Sequence, residues 1–192
     1  MRKSRFYIAL LHHPMYNKRM DIVSTSVTNL DLHDISRAAR TYDVDGFYVV
    51  HPSLSQQGLI NDILAYWREG YGGTYNPDRK EAFSLLRLAS NLDEVKDMLR
   101  GETQNQVLTV ATDARVYPGQ IPYRQMRRII NEEEKTILVL FGTGWGMQAE
   151  LIQDCDYILE PVESERDYNH LSVRSAVSII LDRLLGENWF VN

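Results

Sequence analysis

The chain has 192 residues, 44% of them apolar, a formal net charge of -5 and a single cysteine, Cys155. That length and apolar content suffice for one well-buried domain, and the negative charge confines any nucleic-acid surface to a local basic patch. One cysteine excludes an intrachain disulfide and suits a reducing cytoplasm, and no stretch reads as a signal peptide or a transmembrane span.

In chain order, residues 6 to 11 (FYIALL) form a continuous apolar run of strand length, the pattern of a strand buried on both faces. Residues 12 to 18 read as a loop. Its adjacent histidines, His12 and His13, point to opposite sides of an extended chain and lack a companion set of ligands, so no metal site is expected. Residues 28 to 42 read as a helix, because polar starters at Thr28, Asn29 and Asp31 precede apolar Leu32, Ile35, Ala38 and Ala39. Residues 46 to 50 supply the next buried strand and complete a strand–helix–strand unit. A further helix is predicted over 54 to 67.

The stretch from 68 to 77 mixes aromatics, glycines and an arginine, which fits a loop between helices or a contact surface for single-stranded RNA. Helices are predicted over 78 to 90 and 91 to 99, then a buried strand over 106 to 111 that ends in Thr112, Asp113, Ala114 and Arg115. Pro122 opens a helix at its first position. Tyr123, Met126, Ile129 and Ile130 share one face of that helix, and Arg124, Arg127 and Arg128 form a compact basic patch on the other.

Residues 137 to 141 are a second continuous apolar run, and it passes directly into Gly142, Thr143, Gly144, Trp145 and Gly146. Three glycines in such a turn let backbone approach a ligand closely. No Lys-Ser/Thr pair follows them, so this is not a phosphate loop, and the spacing does not fit the dinucleotide fingerprint. A short strand over 157 to 159 stops at Pro161. Tyr168, Asn169 and His170 then lead into a helix whose apolar residues, Val173, Ala176, Val177, Ile180, Leu181 and Leu184, make one buried face. Cys155 lies between Asp154 and Asp156, a setting that disfavours the thiolate and argues against a nucleophile.

The blocks FGTGWGM, ILEPV and YNHLSVRSAVSIILDRLL together resemble the C-terminal cofactor half of the SPOUT superfamily of S-adenosylmethionine-dependent RNA methyltransferases. In its SpoU-type branch a strand ends in G-x-E-x-x-G, a second ends in Ile-Pro, and a helix starts through S-L-N-V-S-x-A. Gly142 matches the first glycine and Gly144 stands at the Glu. His170, Leu171, Ser172, Val173, Arg174, Ser175 and Ala176 match the helix start, with Ser172 at the Asn. The 28–44 block resembles the branch's first motif, an Asn followed six residues later by Arg, with Asp31 at the Asn and Arg37 at the Arg. The whole chain is similar to a bacterial SPOUT subfamily of RNA methyltransferases.

The resemblance implies an α/β fold of five or six mostly parallel strands with helices on both faces, in one domain over 1–192. It also implies a C-terminal deep trefoil knot, with the cofactor-binding part at about 106–186. S-adenosyl-L-methionine would lie against Thr112, Leu140, Phe141, Gly142, Thr143, Gly144, Trp145 and Gly146. Ile158, Leu159, Glu160, Pro161, Tyr168, Asn169, His170, Leu171, Ser172, Val173 and Ser175 would complete its site. Arg37 and His170 are the expected catalytic residues, and Arg37, Arg124, Arg127 and Arg128 the expected RNA contacts. The protein is expected to act on tRNA or rRNA as a cytoplasmic homodimer, with Trp145, Tyr168, Trp189 and Phe190 as interface aromatics. The departures at Asp31, Gly144 and Ser172 leave a base nitrogen and a ribose 2'-oxygen both open as acceptor. The alternative from another class is a catalytically inactive cofactor-binding scaffold of the same fold.

Overall fold

The predicted strand at residues 6 to 11 is the centre of the molecule. It forms β1 (Arg5–Leu11), and from Phe6 onward no residue of it is more than 1% exposed. The computed structural model describes residues 2 to 163 and 168 to 186. Five strands flank β1 in one sheet: β4 (Gly46–Val50), β5 (Leu86–Ala89), β6 (Val107–Ala111), β7 (Thr136–Gly142) and β8 (Tyr157–Ile158). Their order is β5-β4-β1-β7-β6-β8, and every pairing is parallel. Parallel strands need crossovers, and the crossovers place helices on both faces, which is why the strand sequences are continuously apolar rather than alternating.

One face carries α1 (Asn29–Thr41), α2 (Leu54–Arg68), α4 (Pro77–Ser84), α6 (Tyr123–Glu132) and α8 (Val173–Leu185), packed on Phe6, Ile8, Leu10, Phe47, Val49, Val139 and Phe141. The opposite face carries α5 (Leu92–Thr103) and α7 (Ala149–Gln153) over Tyr7, Ala9, Leu11, Tyr48, Leu138 and Leu140. Alternate residues of each strand therefore feed different cores. Local chemistry sets the helix starts. The side chains of Thr28, Asn91 and Ser172 accept from the backbone N–H three residues on, as capping residues do.

Four elements depart from the sequence expectation. The helix predicted over 78 to 90 stops at Ser84, and Leu86–Ala89 is strand β5 at the sheet edge. Four residues of LRLA carry too little periodicity to separate strand from helix, and pairing with β4 decides it. Arg68 protects this edge: its guanidinium donates to the carbonyls of Phe83, at 2.8 Å, and Leu86. The 68–77 stretch contains a short helix, α3 (Tyr71–Tyr75), whose Gly72 and Gly73 are buried against α2. The loop after β1 contains an antiparallel ribbon, β2 (Met15–Tyr16) with β3 (Ile22–Val23). Pro122 is the cap of α6 rather than its first residue.

Beyond β1 and β4 the chain continues into His12 and His51, whose rings lie 5.5 Å apart. His12 Nδ1 meets Thr25 Oγ1 at 3.0 Å, and His51 Nε2 donates to the Thr25 carbonyl at 2.9 Å. Thr25 Oγ1 in turn bonds Thr143, so both histidines brace the turn after β7 from below. Burial, then the charge of His51, pushes the His12 imidazole down to about 4 from its ordinary 6.5. The unfolded chain therefore takes up a proton below pH 6.5 and the folded chain only below about 4. His12 contributes stability that is full above 6.5 and falls as pH drops through that window, by about 1.4 kcal/mol per unit at most. In urea titrations, the stability advantage of wild type over His12→Gln should shrink between pH 7 and 4.5, at roughly that slope. A constant advantage across the range would contradict this account.

Candidate functional site

The carboxyl ends of β1, β7, β6 and β8 surround a cavity of about 910 Å³. It lies where connections leave the sheet in opposite directions, β1 toward β4 and β7 toward β8, the crevice at which open α/β sheets take ligands. Four segments build the wall. They are residues 112 to 115 after β6, 141 to 147 at the end of β7, 160 to 162 after β8, and 169 to 173 leading into α8. Thr25, Ser26, Thr28 and Asp31, before and inside the start of α1, close the fourth side. Phe141, Met147, Val173, Ala176 and Ile180 make the apolar part of the lining.

Glycine is required in the turn after β7 for reasons internal to the protein. Gly144 and Gly146 have φ of +61° and +97°, the left-handed region that L side chains rarely adopt. A Cβ on Gly142 would lie 2.6 Å from Met147 Cγ and 3.1 Å from its backbone nitrogen. The turn is thus folded tightly on itself and on the ribbon, where Trp145 N donates to the Tyr16 carbonyl at 3.1 Å. Thr143 Oγ1 reaches the Leu11 carbonyl at 3.1 Å, tying β7 back to the end of β1. The result presents Trp145, 57% exposed, at the cavity mouth on a rigid support.

The polar groups of the wall are mostly engaged with one another. Asp113 receives three bonds from Arg115: backbone N at 2.8 Å, Nε at 2.9 Å and Nη2 at 2.7 Å. Glu160 Oε1 receives the backbone N–H of Tyr123 at 2.7 Å and so fixes the start of α6. Asn169 Nδ2 donates to the Ala114 carbonyl at 3.1 Å, joining two of the wall segments. His170 is exposed at the rim, edge-on to Tyr168 with ring centroids 5.3 Å apart. Asp31 is buried, and both of its oxygens meet protein groups, Thr28 and Arg174.

Most residues singled out from sequence converge here. Thr112, Phe141, Gly142, Thr143, Gly144, Trp145, Gly146, Glu160, Pro161, Asn169, His170, Leu171, Ser172 and Val173 all line the cavity. Leu140, Ile158, Leu159, Tyr168 and Ser175 are not in its lining. Leu140 and Leu159 are core residues, and the Leu140 carbonyl is taken by Thr112 N and Oγ1 at 3.2 and 2.8 Å. Tyr168 is 75% exposed, and Ser175 faces a neighbouring depression. Arg37 is in that depression too, with Asp34, Tyr42, Arg174 and Ser178, and only Ser172 is shared with the cavity.

On α6, Arg124 and Arg128 are exposed, but Arg127 is half-buried and donates through Nη1 to the Arg183 carbonyl at 3.1 Å. The predicted patch of three arginines is therefore a patch of two. Trp189 and Phe190 lie outside the described residues. Sequence reasoning did not reach Met20, Thr25, Ser26, Thr28 and Met147 as wall residues. Asp31 carried a signal, since it occupies the first-motif Asn position, whereas nothing in residues 20 to 28 reads as a site.

The fold agrees with those of known proteins. Among solved structures, TrmJ from Z. mobilis ZM4 superposes with TM-score 0.63 at 15% identity, covering 95% of this chain and 70% of that one. The SpoU methyltransferase AviRb from Streptomyces viridochromogenes, in complex with the cofactor AdoMet, superposes with TM-score 0.57 at 14% identity, covering 94% and 57%. These likenesses establish the α/β fold shared with SpoU-type SPOUT enzymes. An uncharacterized protein of Aquifex aeolicus is 44% identical over 182 residues, 95% of this chain and 89% of its own length. A tRNA (guanine-N(1)-)-methyltransferase of Oleidesulfovibrio alaskensis is 40% identical over 181 residues. This chain spans only 42% of the length of that enzyme. The profile of a family described as SAM-dependent RNA methyltransferase matches residues 5 to 186, nearly the full extent of the sheet and its helices. The chain belongs to that S-adenosylmethionine-dependent RNA methyltransferase family.

Proposed function

We propose that the cavity beside the 142–146 turn holds S-adenosylmethionine, and that the protein methylates a nucleotide of tRNA or rRNA there. The observation that carries this reading is the convergence of four loops at the carboxyl ends of parallel strands onto one cavity. Its volume, about 910 Å³, lies within the ~300–1,000 Å³ range of small-molecule sites. Its lining fits the cofactor: an apolar floor suits adenine and the methionine chain, and charges of both signs suit a sulfonium zwitterion. The cofactor supplies an activated methyl group on sulfur. The chain's own residues bind and orient it, exclude water and hold the acceptor. The wall segments at 141–146, 160–161 and 169–173 are the binding residues, with Thr112 beside them. His170 at the rim and Arg37 in the adjoining depression face the side from which RNA would approach.

Three finer readings belong to this proposal. The segment from about 106 to 186 forms a deep trefoil knot, supported by the shared fold of the SpoU-type neighbours. The protein acts as a homodimer, supported by the exposed Trp145, Tyr168 and Leu171 beside the cavity, at 57%, 75% and 46%. It works in the cytoplasm, in keeping with RNA substrates. No described helix is long and apolar enough to cross a membrane.

The function is tested by incubating the protein and labelled S-adenosylmethionine with bulk RNA from a strain lacking the gene. Label should enter tRNA or rRNA. Gly142→Ala should weaken S-adenosylmethionine binding at least tenfold by calorimetry, because Met147 must move and carry the turn with it, while ATP and NAD bind neither protein. Unchanged affinity in a folded variant would remove the turn from the site. Arg124→Ala should weaken RNA binding and lower its salt slope by about one unit, as expected of a phosphate contact. Arg37→Ala should leave cofactor affinity intact and slow methyl transfer; no effect on either rate or RNA affinity would discard its role. Sedimentation at micromolar concentration should give twice the 22.3 kDa chain mass, and a monomer would refute the dimer.

A further inference from the structure

We propose that Asp31 is the proton acceptor of the methyl-transfer step, and that the atom methylated is therefore a ring nitrogen carrying hydrogen, the imide-type N–H of guanine or uracil. This rests on the methyltransferase reading above and deepens it.

Asp31 is a buried carboxylate in the cavity wall. It lines the cavity although its side chain is only 11% exposed, so it is shielded from bulk water yet open to a ligand. Its orientation is fixed from two directions. Thr28 Oγ1 donates to Oδ2 at 2.5 Å, and Arg174 Nε stands 3.3 Å from Oδ1. The same guanidinium is shared with Asp34, where Nη1 donates to Oδ2 at 3.0 Å. A long, divided ion pair leaves Oδ1 with accepting capacity, since a carboxylate oxygen has two lone pairs. The other two wall carboxylates are committed differently. Asp113 is bound through both oxygens by Arg115, and Glu160 Oε1 holds the start of α6.

The sequence pattern points to the same pair. The SpoU-type motifs place Asn where this chain has Asp31 and Ser where it has Arg174, and these two departures touch each other across α1 and α8. An amide and a hydroxyl have become a carboxylate and a guanidinium. The exchange makes an ion pair between α1 and α8, and it also places a carboxylate in the cavity wall. What the exchange adds is a group able to take a proton.

In the step itself the ring nitrogen forms its bond to the methyl carbon, and the carbon–sulfur electron pair returns to sulfur. The N–H proton passes to Asp31 Oδ1, so a neutral N-methyl base, a neutral thioether and a carboxylic acid result. An amide-type N–H becomes strongly acidic as its nitrogen acquires the methyl, which makes a carboxylate an adequate base. A ribose hydroxyl is a much poorer match to it.

The test uses the full chain and RNA from the strain lacking the gene. Nucleoside mass spectrometry should find a base methylated at a former N–H, and guanine and uracil products are told apart by mass. Asp31→Asn keeps size and helix-start hydrogen bonding. It should bind S-adenosylmethionine by calorimetry and RNA by filter binding within about threefold of wild type, while transferring methyl on the order of a hundredfold more slowly or less. Asp31→Ser, which keeps a first-turn hydroxyl, serves if the amide variant fails to fold, with the same losses expected. A 2'-O-methyl product, a variant rate within threefold of wild type, or a tenfold loss of cofactor affinity in either folded variant overturns the assignment. Wild-type protein that methylates no RNA refutes the methyltransferase reading itself, a result distinguishable from all of these.

Discussion

Parallel pairing of β1 with β7, from Arg5 beside Thr136 to Leu11 beside Gly142, is the constraint on which the site depends. It sets the turn after β7 next to the chain that leaves β1, and so lets Thr143 and Trp145 bond to Leu11 and Tyr16. These contacts, with Thr25 and the two buried histidines below, hold the left-handed turn that the glycines allow. Each strand of the pair is buried on both faces, so neither can slip without exposing apolar surface.

A second dependence runs through α1 and α8. These helices pack on the same face of the sheet, and Arg174 joins them by bridging Asp31 and Asp34. The start of α8 forms one side of the cavity and the start of α1 another, so the ion pair fixes their separation. It also divides the surface in two: the cavity on one side, and the open depression holding Arg37 on the other, with Ser172 at the boundary. The cavity and the depression therefore share a wall, and Arg174 in the depression pairs with Asp31 in the cavity lining.

Much of this was legible in the chain. The apolar runs at 6–11, 46–50, 107–111 and 137–141 are strands because strands covered on both faces leave an unbroken hydrophobic signature. The capped periodic helices at 29–41 and 173–185 were equally plain, whereas the glycine turn read by its composition as either a ligand site or a plain tight turn. Strand β5 was not legible, since four residues with one arginine satisfy helix and strand alike until β4 lies alongside. Arg127 read as one of three solvent-facing cations, but it spends its donor on the last turn of α8.

The sequence by itself determined the α/β class, the succession of buried strands, and the family to which the turn and the α8 start belong. The first two are local properties written in periodicity, and the family is carried by the motif resemblance. Tertiary structure alone decided what each glycine avoids, Met147 at Gly142 and Arg115 at Gly146, and that residues 25 to 31 close the cavity. It also decided that Asp31 meets Arg174, although 140 or more positions of chain separate the two helices' contacts. Such pairings depend on which strands neighbour in the sheet, and sequence distance carries no trace of that.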